Sequence, residues 1–191
     1  YKEPIFIDRT TTLRAVGIRP GYRPSSIGTR TYLFLSDVVQ QSSPPPGYPS
    51  TWGSTFTDWG MDQDAGNLQL ISGNSKHTVA ESREVIKSAL RSLPTLSIVL
   101  DKEDLFGAER GIYVHTQGRG RAWERPASIE YFDPHDPSVG FQIDAGLRLQ
   151  GFTSRDPSRN PKHSFRLSFR KEYGGARLDY PLFGSDAAKS F

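Results

Sequence analysis

Residues 141–150 read F-Q-I-D-A-G-L-R-L-Q, and residues 161–170 read P-K-H-S-F-R-L-S-F-R. In the first stretch Phe141, Ile143, Ala145, Leu147 and Leu149 alternate with Gln142, Asp144, Gly146, Arg148 and Gln150. In the second, Phe165, Leu167 and Phe169 alternate with Ser164, Arg166, Ser168 and Arg170. A period of two over this length predicts two strands, each with one buried apolar face and one polar face. The loop between them, 151–163, carries Arg155, Arg159, Lys162 and His163. Guanidinium forks and ammonium groups suit phosphate oxygens, so this basic bend is the first candidate for an anion site. In a hairpin symmetric about Pro157, Arg148 falls opposite Arg166 and Asp144 opposite Arg170. Like charges directly opposite cost stability unless an anion joins them. That anion is either a nucleotide phosphate or a carboxylate of the chain itself, such as Glu124 or Glu130.

Composition supports a β-rich reading. The chain has 191 residues, 12% aromatic, with 18 Gly and 14 Pro, which favours strands and turns over a helical bundle. Its net charge of +3 argues for no nucleic-acid partner unless the charge is concentrated in a patch. With no cysteine, disulfides, thiolate catalysis and cysteine zinc sites are excluded. No run of about 18 apolar residues predicts a membrane-spanning helix. The chain starts in a strand-like phrase rather than at Met, and we expect it to be a segment of a longer polypeptide.

The remaining elements follow from local signals. Residues 3–7, 11–18 and 28–35 are strand candidates. Arg19-Pro20-Gly21-Tyr22 is a turn, with Pro and Gly at its central positions. Ser42-Ser43-Pro44-Pro45-Pro46-Gly47 reads as a semi-rigid linker. Residues 48–67, with Trp52 and Trp59, read as an ordered coil that packs through its aromatics. Thr78 to Glu81 is a capping box, and the helix that follows places Val85, Ile86, Ala89, Leu90 and Leu93 on one stripe until Pro94 stops it. Residues 95–100 predict a buried strand and 101–104 a polar turn. Residues 111–114 and 127–131 are further strand candidates.

Several motifs weigh less. Asp58, Asp62, Asp64 and Gly66 resemble a calcium loop, but position 73 is Gly where the ligating Glu belongs, so a solvated loop is expected. Trp52 and Trp59 suit sugar stacking less well than packing against a core. The four histidines lack paired zinc spacing, and neither G-x-S-x-G nor GxxxxGK[ST] occurs. Gly118-Arg119-Gly120-Arg121 reads as an exposed basic turn.

Two resemblances sharpen these expectations. The phrase I-F-I-D-R-T-T-T-L-R-A-V-G-I-R-P-G-Y-R-P-S-S-I-G-T-R-T-Y-L-F resembles the closing half of the chitobiase/β-hexosaminidase C-terminal domain family, over about residues 1–35. It implies an immunoglobulin-like accessory module of extracellular bacterial proteins, with Val16-Gly17 replacing the usual second Ala. The blocks S-I-V-L-D-K-E-D-L-F-G, W-E-R-P-A-S-I-E-Y-F, G-L-R-L-Q-G, P-K-H-S-F-R-L-S-F-R and L-D-Y-P-L-F-G are similar, in order, to the N-terminal part of the CotH family, over about 94–186. Those proteins are spore-coat-like atypical protein kinases, also found secreted. The resemblance implies that Arg148, Ser154, Arg155, Lys162, His163 and Arg166 lie at nucleotide phosphates; His163 stands where a second Lys is common. It further implies ATP and Mg2+ as cofactors, with the catalytic aspartates downstream of this region. The partner is then a protein phosphoacceptor or a cell-surface polysaccharide component, and the location is secreted or cell-surface. The rival expectation is a non-catalytic extracellular scaffold or carbohydrate-associated module.

The expected fold is therefore mainly β with one or two helices, α+β. Residues 1–36 form part of an immunoglobulin-like sandwich, 37–77 a linker and coil, and 78–191 a mixed or antiparallel sheet of an incomplete kinase-like lobe.

Overall fold

Four strands within residues 95–168 pair into one antiparallel sheet. The computed structural model describes residues 3–41, 44–52, 55–57, 59–60, 78–136 and 138–183. The sheet has the order β5-β6-β7-β8, with β5 at Thr95–Leu100, β6 at Arg125–Phe132, β7 at Gly140–Gln150 and β8 at Ser164–Ser168. Ahead of it lie the hairpin of β1 (Thr11–Ala15) and β2 (Gly28–Tyr32), the helix α1 (Leu35–Gln40), and the short pair β3 (Thr51–Trp52) and β4 (Thr55–Phe56). Helix α2 (Val79–Ser92) leads into β5, and α3 (Lys102–Phe106) follows it. The chain is mainly β with a few helices, an α+β arrangement.

One face of the sheet is the core. Ile129, Ala145 and Leu147 have no exposed surface, and Leu149, Ala127, Ile112, Tyr113 and Trp52 pack with them. Each large apolar side chain buried this way contributes about 1.5–3 kcal/mol. Register keeps the face continuous: Ile98 pairs with Ile129, Ile129 with Ile143, and Leu147 with Leu167. The coil before α2 covers it through edge-to-face rings. Trp52 lies 5.1 Å from Tyr113 and 5.6 Å from Trp59. The two tryptophans pack in the core cluster, so neither is an open platform for a sugar.

The opposite face is polar, and the β1–β2 hairpin lies on it through hydrogen bonds. Thr29 Oγ1 donates to Ser128 Oγ (3.0 Å), the Thr31 N–H donates to Glu130 Oε2 (2.7 Å), and Arg30 reaches Glu130 Oε1 (3.3 Å). Thr31 and Ser97 hydroxyls meet at 2.7 Å. Buried polar groups are stable only when partnered, and here they partner one another.

Local signals decide the ends of elements. Thr78 Oγ1 accepts from the Glu81 N–H (3.2 Å) while Glu81 accepts from the Thr78 N–H (2.7 Å), completing the capping box. The expected stripe of α2 is only partly covered: Val85 and Leu93 are exposed, while α1 supplies the buried Val39. The turn at Arg19 forms as expected, with Tyr22 N–H donating to the Arg19 carbonyl (3.0 Å) and Gly21 at φ +80°.

Four readings are corrected. Residues 3–7 form no strand, and residues 111–114 are successive turns. Residues 35–40 and 102–106 are helical, so the described residues hold three helices rather than one or two. In α3 the Asp101 side chain accepts from the Glu103 N–H (2.8 Å) and caps a helix where a polar turn was expected. The Asp58, Asp62, Asp64 and Gly66 motif lies outside the described residues.

Candidate functional site

The polar face of β7 and β8 brings Arg148 and Arg166 directly opposite each other, as the register predicts. Arg148 has an acidic neighbour, Glu124, just before β6. Its carboxylate is fully buried and accepts from Arg170 Nε (3.1 Å) and Nη2 (3.2 Å) in a two-pronged pair. Tyr173 Oη donates to it at 3.3 Å, and Arg148 Nη1 lies 3.9 Å away. Burial by itself would raise the Glu124 pKa. Hydrogen bonding and charge from Arg170, with hydrogen bonds from Ser168 and Tyr173, outweigh burial and hold the carboxyl below its ordinary range. Burial and the nearby Glu124 charge push the Tyr173 phenol up.

Glycine at 146 makes this arrangement possible. A Cβ there would stand 2.5 Å from Tyr173 Cε2 and 2.9 Å from Glu124 Oε2. The one gap in the β7 alternation is thus the place where a carboxylate and a phenol lie flat on the sheet. Asp144 serves elsewhere: β8 ends at Ser168, short of Arg170, and Asp144 accepts from Ser128 Oγ at 2.5 Å.

Loop 151–163 folds inward. Arg155 is buried and donates to four carbonyl oxygens: Gly151 (2.8 Å), Thr116 (2.9 Å), Gly118 (2.7 Å) and Leu149. Burial, then repulsion from Arg119 and Arg148, lowers its pKa from the usual guanidinium value. The side chain therefore clamps the loop to the turns at 116–118. Ser154 tucks its hydroxyl against Gly151, whose φ of +116° and missing Cβ admit it. His163 is buried beside Tyr113 (ring centroids 5.1 Å apart) and donates from Nδ1 to the Ser154 carbonyl (3.1 Å). Its buried Nε2 has no hydrogen-bond partner among the described residues.

Lys162 Nζ donates to the Gly60 carbonyl (3.3 Å), next to Trp59, which packs on the apolar face. Of the six residues singled out by sequence, Arg148 and Arg166 meet on the polar face. Ser154, Arg155 and His163 shape the loop, and Lys162 joins the coil on the other side. Arg166 is exposed and makes no hydrogen bond or ion pair among the described residues.

Beside this cluster a cleft of about 650 Å³ opens between the hairpin and the turn after β8, lined in part by Arg14, Ser128, Asp144, Lys171 and Tyr173. Among the described residues, no group of three or more His, Asp or Glu side chains is placed to hold a metal ion. No family model, curated protein or solved structure matches this chain.

Proposed function

We propose that the chain is the junction between an immunoglobulin-like accessory module and the N-terminal lobe of a CotH-like atypical protein kinase, secreted or at the cell surface. In this reading the β5–β8 sheet presents nucleotide phosphate to a reaction centre completed by the rest of the protein. The observation that carries it is the Arg148–Arg166 pair. Two arginines lie opposite each other across the outer strand pair, and Arg166 has no carboxylate partner among the described residues. Such a pair favours an incoming anion, and phosphoryl transfer depends on positioning and charge neutralisation of this kind. Arg155, Ser154 and His163 act indirectly, by fixing the bend that carries β8. The nucleotide's magnesium is assigned no ligand in this chain, and no catalytic step is drawn through it. The phosphoacceptor is a protein. The β1–β2 hairpin supports the sandwich part of the proposal, since its outward side leaves Tyr32 exposed, as an outer sheet would.

A second reading rests on its own observation. The Glu124 network and the Arg155 clamp neutralise or occupy Arg148, Arg155 and Arg170 within the fold itself, which suits a non-catalytic scaffold. Titration of Mg–ATP separates the two. Under the kinase reading the protein binds nucleotide, and Arg166→Ala weakens binding more than Lys162→Ala does. Under the scaffold reading nucleotide produces no saturable signal.

A further inference from the structure

The net charge of the chain is +3, yet residues 1–35 alone hold six cations (Lys2, Arg9, Arg14, Arg19, Arg23, Arg30) against Glu3 and Asp8, a net of +4. The hairpin itself, residues 11–32, holds four of these, Arg14, Arg19, Arg23 and Arg30, and no acidic residue. Its tip is the β1–β2 connection, which projects beyond the last paired residues, Ala15 and Gly28. The neck is closed by two bonds: Gly17 N–H donates to Ser25 Oγ (2.8 Å) and Ser25 N–H to the Gly17 carbonyl (3.0 Å). Within it the Pro20-Gly21 turn holds Arg19 4.7 Å from the centre of the Tyr22 ring. This preformed loop exposes 77% of Ile18 and 66% of Tyr22, and neither Arg19 nor Arg23 has an ion pair among the described residues.

We infer that this tip docks on an anionic lipid surface. The combination of residues selects the partner. Arginines without carboxylates answer to anionic headgroups, and a tyrosine suits the headgroup boundary with its ring toward the acyl chains. The exposed Ile18, just beyond the neck, gains only where an apolar phase receives it, which nucleic acid and polysaccharide do not offer. A rigid loop loses little conformational freedom on docking. Among the described residues no helix is long and apolar enough to cross a membrane, so the contact inferred is peripheral. The inference is independent of the nucleotide proposal.

Vesicle co-sedimentation tests it, comparing pure phosphatidylcholine vesicles with vesicles that also contain phosphatidylglycerol. The protein should sediment with the anionic vesicles, stay in solution with the neutral ones, and be released by high salt. Arg19→Ala and Arg23→Ala should each lower partitioning about fivefold, and Ile18→Ser about tenfold or more. All three side chains face solvent, so circular dichroism and the thermal midpoint should match the parent. Failure to sediment with anionic vesicles would overturn the inference, as would equal sedimentation of all variants. Retention on immobilised alginate, unaffected by Ile18→Ser, would reassign the tip to a polysaccharide.

Discussion

At Gly146 the polar face of the sheet has room for two side chains and none for a third. Adding a methyl group there forces either the Tyr173 ring or the Glu124 carboxylate to move. Gly146→Ala should destabilise the protein by about 1–3 kcal/mol, the usual cost of overpacking, read as a lower urea midpoint at an unchanged slope. Glu124 also sets a pH dependence. Its folded pKa lies below the ordinary value of 4.5, so its stabilising contribution is complete above that value. The contribution is lost as pH falls through the lowered folded pKa. Asp136 and Asp156 are shifted the same way by Ser138 and Ser158, so Glu124→Gln should shrink the acid loss of stability without abolishing it. Urea midpoints between neutral pH and pH 3 give the comparison. An acid limb unchanged in Glu124→Gln would show that the network is not coupled to folding.

At the scale of elements, loop 151–163 depends on one buried guanidinium. Arg155→Met removes four hydrogen bonds and leaves carbonyls of Thr116, Gly118, Leu149 and Gly151 without that partner. A loss of about 2–4 kcal/mol is expected, together with faster amide exchange across 151–163 and little change in β6. Equal protection in parent and variant would contradict the clamp. The capping box of α2 is a smaller device, and Thr78→Ala should cost about 1 kcal/mol. These two cases mark what the sequence discloses. A capping box lies within four consecutive residues, and strand alternation within ten, so both are legible. The clamp joins Arg155 to carbonyls near residue 117, and a carbonyl has no signature in a sequence. Arg155 therefore reads as one more loop cation until the fold shows what surrounds it. Helix α3 is hidden for a related reason: five residues, three of them charged, resemble a turn until Asp101 is seen capping them.

Across the whole molecule the two faces of one sheet are used differently. The apolar face is closed by tryptophan- and tyrosine-rich coil, whereas the polar face holds the hairpin by hydrogen bonds to Glu130, Ser128 and Ser97. Glu130→Ala leaves the Arg30 guanidinium and the Thr31 N–H without their carboxylate partner. That variant should loosen the hairpin before the sheet, seen as lost protection of β1 and β2 amides at retained protection of β6 and β7. The pairing of β7 with β8 is readable from their two alternating stretches. The docking of residues 11–32 onto residues some hundred positions later is not, because threonines and serines carry no mark of the face they meet.

The same division governs the basic residues. Arg155 and Arg170 are bound into the fold, Arg148 is partly neutralised by Glu124, and Arg166 lies opposite it across the strand pair without a carboxylate among the described residues. In the proposed function this last cation meets nucleotide phosphate, and calorimetric titration of Mg–ATP into the parent and Arg166→Ala tests that role. The parent should bind saturably and the variant with an affinity about tenfold or more lower, the worth of a charge-assisted hydrogen bond. Equal affinities, or no binding by either protein, would contradict it.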